Sequence, residues 1–145
     1  MVGTPWTRLV ALLVGGLMLA GAAGAGAQPL DADARAAGQV VLQQLDAFRH
    51  HDFATAYTFA SASIRQMFDR TGFEQMVRGS YPEIADSTTA SIAGSRRGDA
   101  GEIYLFIRIH GANGRDIEAV YEMVSESSGW RINGVMTRPD DSEQA

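Results

Sequence analysis

Residues 102–110, Glu-Ile-Tyr-Leu-Phe-Ile-Arg-Ile-His, alternate without a break. Ile103, Leu105, Ile107 and Ile109 fall on one side; Glu102, Tyr104, Phe106, Arg108 and His110 fall on the other. A helix would scatter these residues around its circumference. An extended chain, whose side chains repeat every two residues, sorts them into one dry face and one mixed face. The segment is therefore a strand of a sheet covered on one side only. Half-covered sheets are antiparallel, so the neighbouring sequence must supply hairpins.

It does. From Thr88 onward the period is two, and strands are predicted near 87–96, 101–111, 115–126 and 129–137. The connections Arg97-Gly98-Asp99-Ala100, Ala112-Asn113-Gly114 and Ser127-Ser128-Gly129 are short and rich in turn residues. Three hairpins in series make a four-stranded antiparallel meander. Ahead of it the period is helical. Ala34, Ala37, Val41, Leu45 and Phe48 recur at three- and four-residue spacing, with Asp31 or Asp33 as the helix cap. Asp52 caps a second short helix carrying Phe53, Ala56, Tyr57 and Ala60. Ser63 is expected to cap a third, with Ile64, Met67 and Phe68, ended by Gly72. Phe73, Met76 and Val77 form a last helical segment before Tyr81-Pro82, where proline stops continuation. Helices first and strands afterwards predict an α+β domain with the helices on one face of the sheet.

The loop at 112–114 sets the register. A three-residue hairpin loop takes a left-handed residue in third place, and Gly114 suits it. Ile109 then faces Ile117, Ile107 faces Ala119, Leu105 faces Tyr121 and Ile103 faces Met123. On the opposite face His110 meets Asp116, Arg108 meets Glu118 and Phe106 meets Val120. Opposite charges and apolar pairs both fall together. A two-residue Asn113-Gly114 turn would set Glu118 and Glu122 beside Ile109 and Leu105, and is rejected. For the last hairpin, Ser128-Gly129 as the turn would face Ser125 with Ile132, Met123 with Gly134 and Tyr121 with Met136. That puts Trp130, Ile132 and Met136 on the dry face and Val135 on the outer one. The dry wall so defined has no carboxylate, histidine or arginine.

The first 27 residues read as a separate object. Arg8 is their one charge, Leu9 to Ala20 is apolar, and Ala25-Gly26-Ala27 is a small-residue cleavage site, the pattern of a secretory leader. Cleavage would leave residues 28–138 as one α+β domain and 139–145 as a polar tail, with no lasting membrane anchor. Localisation is then periplasmic or extracellular. Without Arg8 there remain 11 basic residues, all arginine, against 17 acidic ones, a net charge of −6. Phosphate backbones attract basic surfaces, so nucleic acid is not an expected partner. The chain has no cysteine, hence no disulfide.

The helix ending Leu45-Asp46-Ala47-Phe48-Arg49, with Asp52 and Ala56-Tyr57, is followed by Phe59-Ala60-Ser61 and Ile64-Arg65-Gln66-Met67-Phe68. Then come Phe73, Met76-Val77, Tyr81 and the closing Gly129-Trp130-Arg131-Ile132-Asn133-Gly134-Val135. In this order they resemble the bacterial family known as domain of unknown function 4864, itself similar to the nuclear-transport-factor-two-like, or cystatin-like, cone fold. The resemblance covers residues 38–137. It implies a curved sheet wrapped around helices, often dimeric, and carries no established activity. The wider superfamily includes ketosteroid isomerase, the polyketide cyclases and scytalone dehydratase, whose sites need a general base and a proton donor inside the cone. Here the inward strand positions offer only the Tyr121 hydroxyl.

His50-His51-Asp52 reads as a solvated turn, so no metal is expected, and no cofactor. His110 and Asp116 read as a cross-strand surface pair more readily than as an acid–base pair. Asp46, Tyr57, Tyr121 and Trp130 are the candidate ligand-binding residues at the cone mouth; the alternative is a surface aspartate and core tyrosines with local hydrogen bonds. Tyr104, Phe106, Val120, Val124 and Val135 cluster on the outer sheet face and are the candidate interface of a homodimer. The leading expectation is an exported, non-catalytic binding or interaction module. The alternative is a binder of a small apolar ligand in the cone; an isomerase, cyclase or dehydratase stands last.

Overall fold

The computed structural model describes residues 29–140, and the expected leader and tail beyond Asp140 lie outside them. Among the described residues five helices precede four strands: α1 (Ala32–Arg49), α2 (Phe53–Thr58), α3 (Ala62–Met67), α4 (Arg70–Ser80), α5 (Pro82–Ala85), β1 (Ser87–Arg97), β2 (Ile103–Gly111), β3 (Asp116–Glu126) and β4 (Gly129–Pro139). The strands form one antiparallel sheet in the order β1-β2-β3-β4. This is the expected α+β meander with helices on one face.

Short polar side chains start the helices. Asp31 accepts from the Ala34 amide at 2.8 Å, Asp52 from Thr55 at 3.1 Å and Asp69 from Gly72 at 2.7 Å, satisfying first-turn N–H groups. Helix boundaries differ from expectation at three places. Ala60, expected on α2, lies beyond its end at Thr58 and bridges to Ile132 instead. Ser61, not Ser63, caps α3, accepting from Ile64 at 3.2 Å. Gly72 does not end a helix; it lies inside the first turn of α4, because Phe68 is extended and Asp69 restarts the chain. Pro82 stops α4 and also opens α5, where its missing N–H costs nothing.

The β2–β3 hairpin has the expected register throughout, from His110 opposite Asp116 to Ile103 opposite Met123. Gly114 takes φ +82°, and the Gly111 amide donates to Arg115 at 2.9 Å, closing the three-residue loop. The β3–β4 register is corrected. The turn is Ser127-Ser128, with left-handed Gly129 (φ +117°) opposite Glu126, so Ser125 faces Trp130 and Met123 faces Ile132. A bulge then falls at Asn133, after which Glu122 faces Gly134 and Tyr121 faces Val135. The extra residue reverses the sides of the positions after it. Val135 turns inward and is buried, while Met136 moves outward opposite Val120. Trp130 is half-buried at the rim of the core rather than part of its wall.

The core lies between helices and sheet. Val41, Leu45, Phe48, Ile64, Leu105, Ile107, Tyr121 and Met123 are each 1 % exposed or less. Phe48 packs on Phe53 at 5.4 Å and Phe73 at 6.1 Å between ring centroids, tying α1, α2 and α4 together. Where α1 crosses β1, a Cβ on Gly38 would meet Ile92 Cδ1 at 2.5 Å, so a larger residue there would have to displace the tip of the Ile92 side chain. The segment 59–61 pairs with β4: Ser61 donates to Ile132 O and Ile132 donates to Phe59 O, both at 2.8 Å. That covers the middle of the β4 edge.

Candidate functional site

The interior of the cone is nearly full. Gln44, Phe48, Ile64, Phe73, Tyr81 and Val135 help enclose a cavity of about 20 Å³ beside Tyr121. Such a space suits about one water molecule. Gln44, buried on α1, donates from Nε2 to the Ala56 carbonyl at 3.1 Å. The Tyr81 hydroxyl lies 3.4 Å from the Val135 carbonyl. The Tyr121 hydroxyl has no hydrogen-bond partner, the only buried side-chain polar atom so placed among the described residues. Burial, then the neighbouring Tyr81 phenol, push its pKa far above the ordinary tyrosine value. It stays protonated and offers one hydrogen-bond donor. Among the described residues, no carboxylate or histidine lines this cavity. Glu83 is buried, yet it points to the sheet's end, accepting from Asn113 at 2.8 Å with Arg115 at 4.0 Å.

The four candidate ligand-binding residues do not converge. Tyr121 alone of them lines the cavity. Asp46 stands exposed on α1, 3.9 Å from Arg49 and 3.6 Å from His50 Nδ1, in an open cleft with Leu42, His50, Asp52 and Phe59. Tyr57 packs edge-on against Phe73 and places its hydroxyl 2.5 Å from the Phe68 carbonyl oxygen, a local partner. Trp130 sits opposite Ser125 near the last turn. At the His50-His51-Asp52 turn His51 takes φ +55° and Asp52 serves as the α2 cap. Among the described residues no group of three or more histidine or acidic side chains could hold a metal ion.

The outer sheet face is ordered in rows by the registers. At one end Thr89, His110 and Asp116 lie abreast, followed by Ser91, Arg108, Glu118 and Arg138. Then come Gly94, Phe106, Val120 and Met136, and after them Arg96, Tyr104, Glu122 and Gly134. Half of the face is polar and half apolar. Val120 is 2 % exposed and lies in its row between Phe106 and Met136. Tyr104, Phe106, Val124 and Met136 are half-buried. Of the five candidate interface residues, Val135 leaves the group and Met136 takes its place.

Within the apolar half sits Glu122. Burial raises its pKa, a hydrogen bond from Asn133 opposes the shift, and the charge of Glu102 adds to it. Tyr104, its cross-strand neighbour, is pushed up to about 12 by burial and by the charges of Glu122, Glu102 and Asp99. Asn133 links two layers. Its Nδ2 donates to Glu122 Oε2 at 3.1 Å, and its Oδ1 accepts from the Ser61 hydroxyl at 2.8 Å. Sequence reasoning missed this relay and Gln44; the one signal for the bulge was the Asn133-Gly134 pair inside a strand pattern.

The family model of a domain of unknown function, DUF4864, matches residues 30–145. No curated protein matches the chain. Among solved structures, Aln2 from a Streptomyces species is similar, with a TM-score of 0.53 and 14% identity over 80% of this chain and 96% of that one. Identity that low carries the fold alone: a nuclear-transport-factor-two-like arrangement of helices on an open four-stranded sheet.

Proposed function

From the premise that the chain belongs to the DUF4864 family and has a nuclear-transport-factor-two-like fold, we propose that it is an exported, non-catalytic interaction module. It pairs with a second copy of itself through the apolar half of its outer sheet face. The observation that carries this reading is the contiguous set Tyr104, Phe106, Val120, Val124 and Met136 on a face that the helices leave open. Area decides which partner suits it. Four strands about 4.8 Å apart and about 30 Å long make a face of roughly 600 Å², of which the apolar half offers about 300 Å² per molecule, the scale of a weak, transient pair. A two-fold operation lays this apolar patch on its own copy, which a self-complementary dimer requires. Export is supported by the leader pattern of residues 1–27, and the secreted protein is expected to begin at Gln28 by mass.

The test is the mass in solution. Wild-type protein is expected to scatter light as a dimer, and Phe106→Glu, which sets a charge in the middle of the patch, as a folded monomer. A monomeric wild type, or an F106E variant of unchanged mass, rejects the interface.

The unpartnered Tyr121 hydroxyl supports a second reading, a small apolar ligand with one hydrogen-bond acceptor held in the cone. The helical wall around Phe73 and Tyr81 would have to move outward to admit it. Cyclohexanone would then raise the melting temperature of wild type and not of Tyr121→Phe. An equal response of the two proteins counts against this reading.

A further inference from the structure

The polar end of the outer face carries chemistry that the apolar half does not use. A cleft of about 420 Å³ opens there between Thr89, Ser91, Arg108, His110, Asp116 and Asp140. Three strands place these side chains abreast. Thr89 lies opposite His110, which lies opposite Asp116, and Ser91 lies opposite Arg108. The β1 bulge at Thr88 sets this alignment: the register shifts between Ser87 and Thr89, and the Thr88 hydroxyl donates to the His110 carbonyl at 3.1 Å. His110 Nδ1 is held by Asp116 Oδ1 at 2.6 Å, which leaves Nε2 on the ring edge away from Asp116. Arg108 Nε stands 3.9 Å from Asp140, whose side chain is 15% exposed at the cleft.

Charge selects the class of ligand. The cleft sets the Arg108 guanidinium and the His110 ring beside the carboxylates of Asp116 and Asp140. A free oxyanion would meet both carboxylates; a simple cation would meet the guanidinium. What the site offers in number is hydrogen bonding of both senses. Thr89 and Ser91 donate and accept, Arg108 donates, the carboxylates accept, and His110 Nε2 does either according to its proton. We propose that this cleft binds a small neutral polyhydroxylated molecule, of the sugar or polyol class, through Thr89, Ser91, Arg108, His110 and Asp140. Asp116 touches no ligand in this arrangement; it is a positioning residue that fixes the orientation of His110.

None of the cleft's residues lies in the Phe106–Val120 row at the centre of the proposed self-association surface. The test uses the purified protein with uniformly ¹⁵N-labelled amides, titrated with glucose, galactose, N-acetylglucosamine and inositol, and separately with glycine and inorganic phosphate. Saturable shifts of the Thr89, Ser91, Arg108 and His110 amides are expected with at least one of the four polyols, at about millimolar affinity, as suits an open cleft. Arg108→Ala is expected to abolish them while the rest of the spectrum stays in place, because its side chain is largely exposed. Asp116→Asn is expected to weaken binding and to change its pH profile, which a merely structural role would not do. Silence with all four polyols, saturation by glycine or phosphate instead, or shifts that persist in Arg108→Ala would each overturn the assignment.

Discussion

Tyr121 carries its hydroxyl into an apolar interior where nothing accepts its proton. A buried hydroxyl without a partner costs roughly 1–3 kcal/mol. Tyr121→Phe removes that cost and keeps the ring. Stability to urea is therefore expected to be unchanged or to rise by about 1 kcal/mol; a loss above about 2 kcal/mol would mean that the hydroxyl has an acceptor in solution. Glu122 works through pH. Its folded pKa is raised, so protonation favours the folded state. Stability from this group grows as pH falls through the raised folded value toward the unfolded carboxylate value, and is lost as pH climbs back. Glu122→Gln is expected to flatten that part of the profile. Matching pH profiles for the two proteins would assign the slope to other groups. Tyr121 was legible in the sequence as an inward residue because its strand register was fixed. The relay from Ser61 through Asn133 to Glu122 was not, because its members lie up to 72 positions apart.

Among the elements, the β2–β3 hairpin was readable to the residue because one local demand, a left-handed third loop position, has one good answer in Gly114. Gly114→Ala forces that φ on a side chain and is expected to cost about 1 kcal/mol, lowering the melting temperature by several degrees without unfolding the protein. No change in melting temperature would show that the loop has another conformation. The β4 strand was misread because its register is not settled locally. Ser127-Ser128-Gly129 serves two turn geometries, and the bulge at Asn133 is held by Ser61 and Glu122, which no local pattern announces. The helix caps show the same division. Asp52 was readable from its own sequence, and the first cap was narrowed to Asp31 or Asp33, of which Asp31 takes the role. The choice of Ser61 over Ser63 was decided by pairing with Ile132 across the chain.

At the scale of the molecule, one buried cluster takes in Leu45 and Phe48, Phe53, Ile64, Phe73, Ile84 and residues of β2, β3 and β4. Helices and sheet share that core, so unfolding is expected to be a single transition. Far-ultraviolet circular dichroism and the fluorescence of Trp130 should give the same midpoint; helices melting ahead of the sheet would contradict a shared core. The α+β layering was legible because two periods, 3.6 and 2, occupy separate halves of the sequence. The polar cleft was not, because it needs three strands set side by side with a bulge in the first. Asn133 also has a meaning for how such chains change over generations. A single-residue deletion there would not merely shorten a strand. It would exchange inside for outside over the rest of β4, turning Val135 to water and Met136 to the core, and would cut the thread to Ser61. A residue gained or lost at a hairpin tip leaves the faces of the strands as they are, whereas at this interior position one codon carries the sidedness of a whole edge.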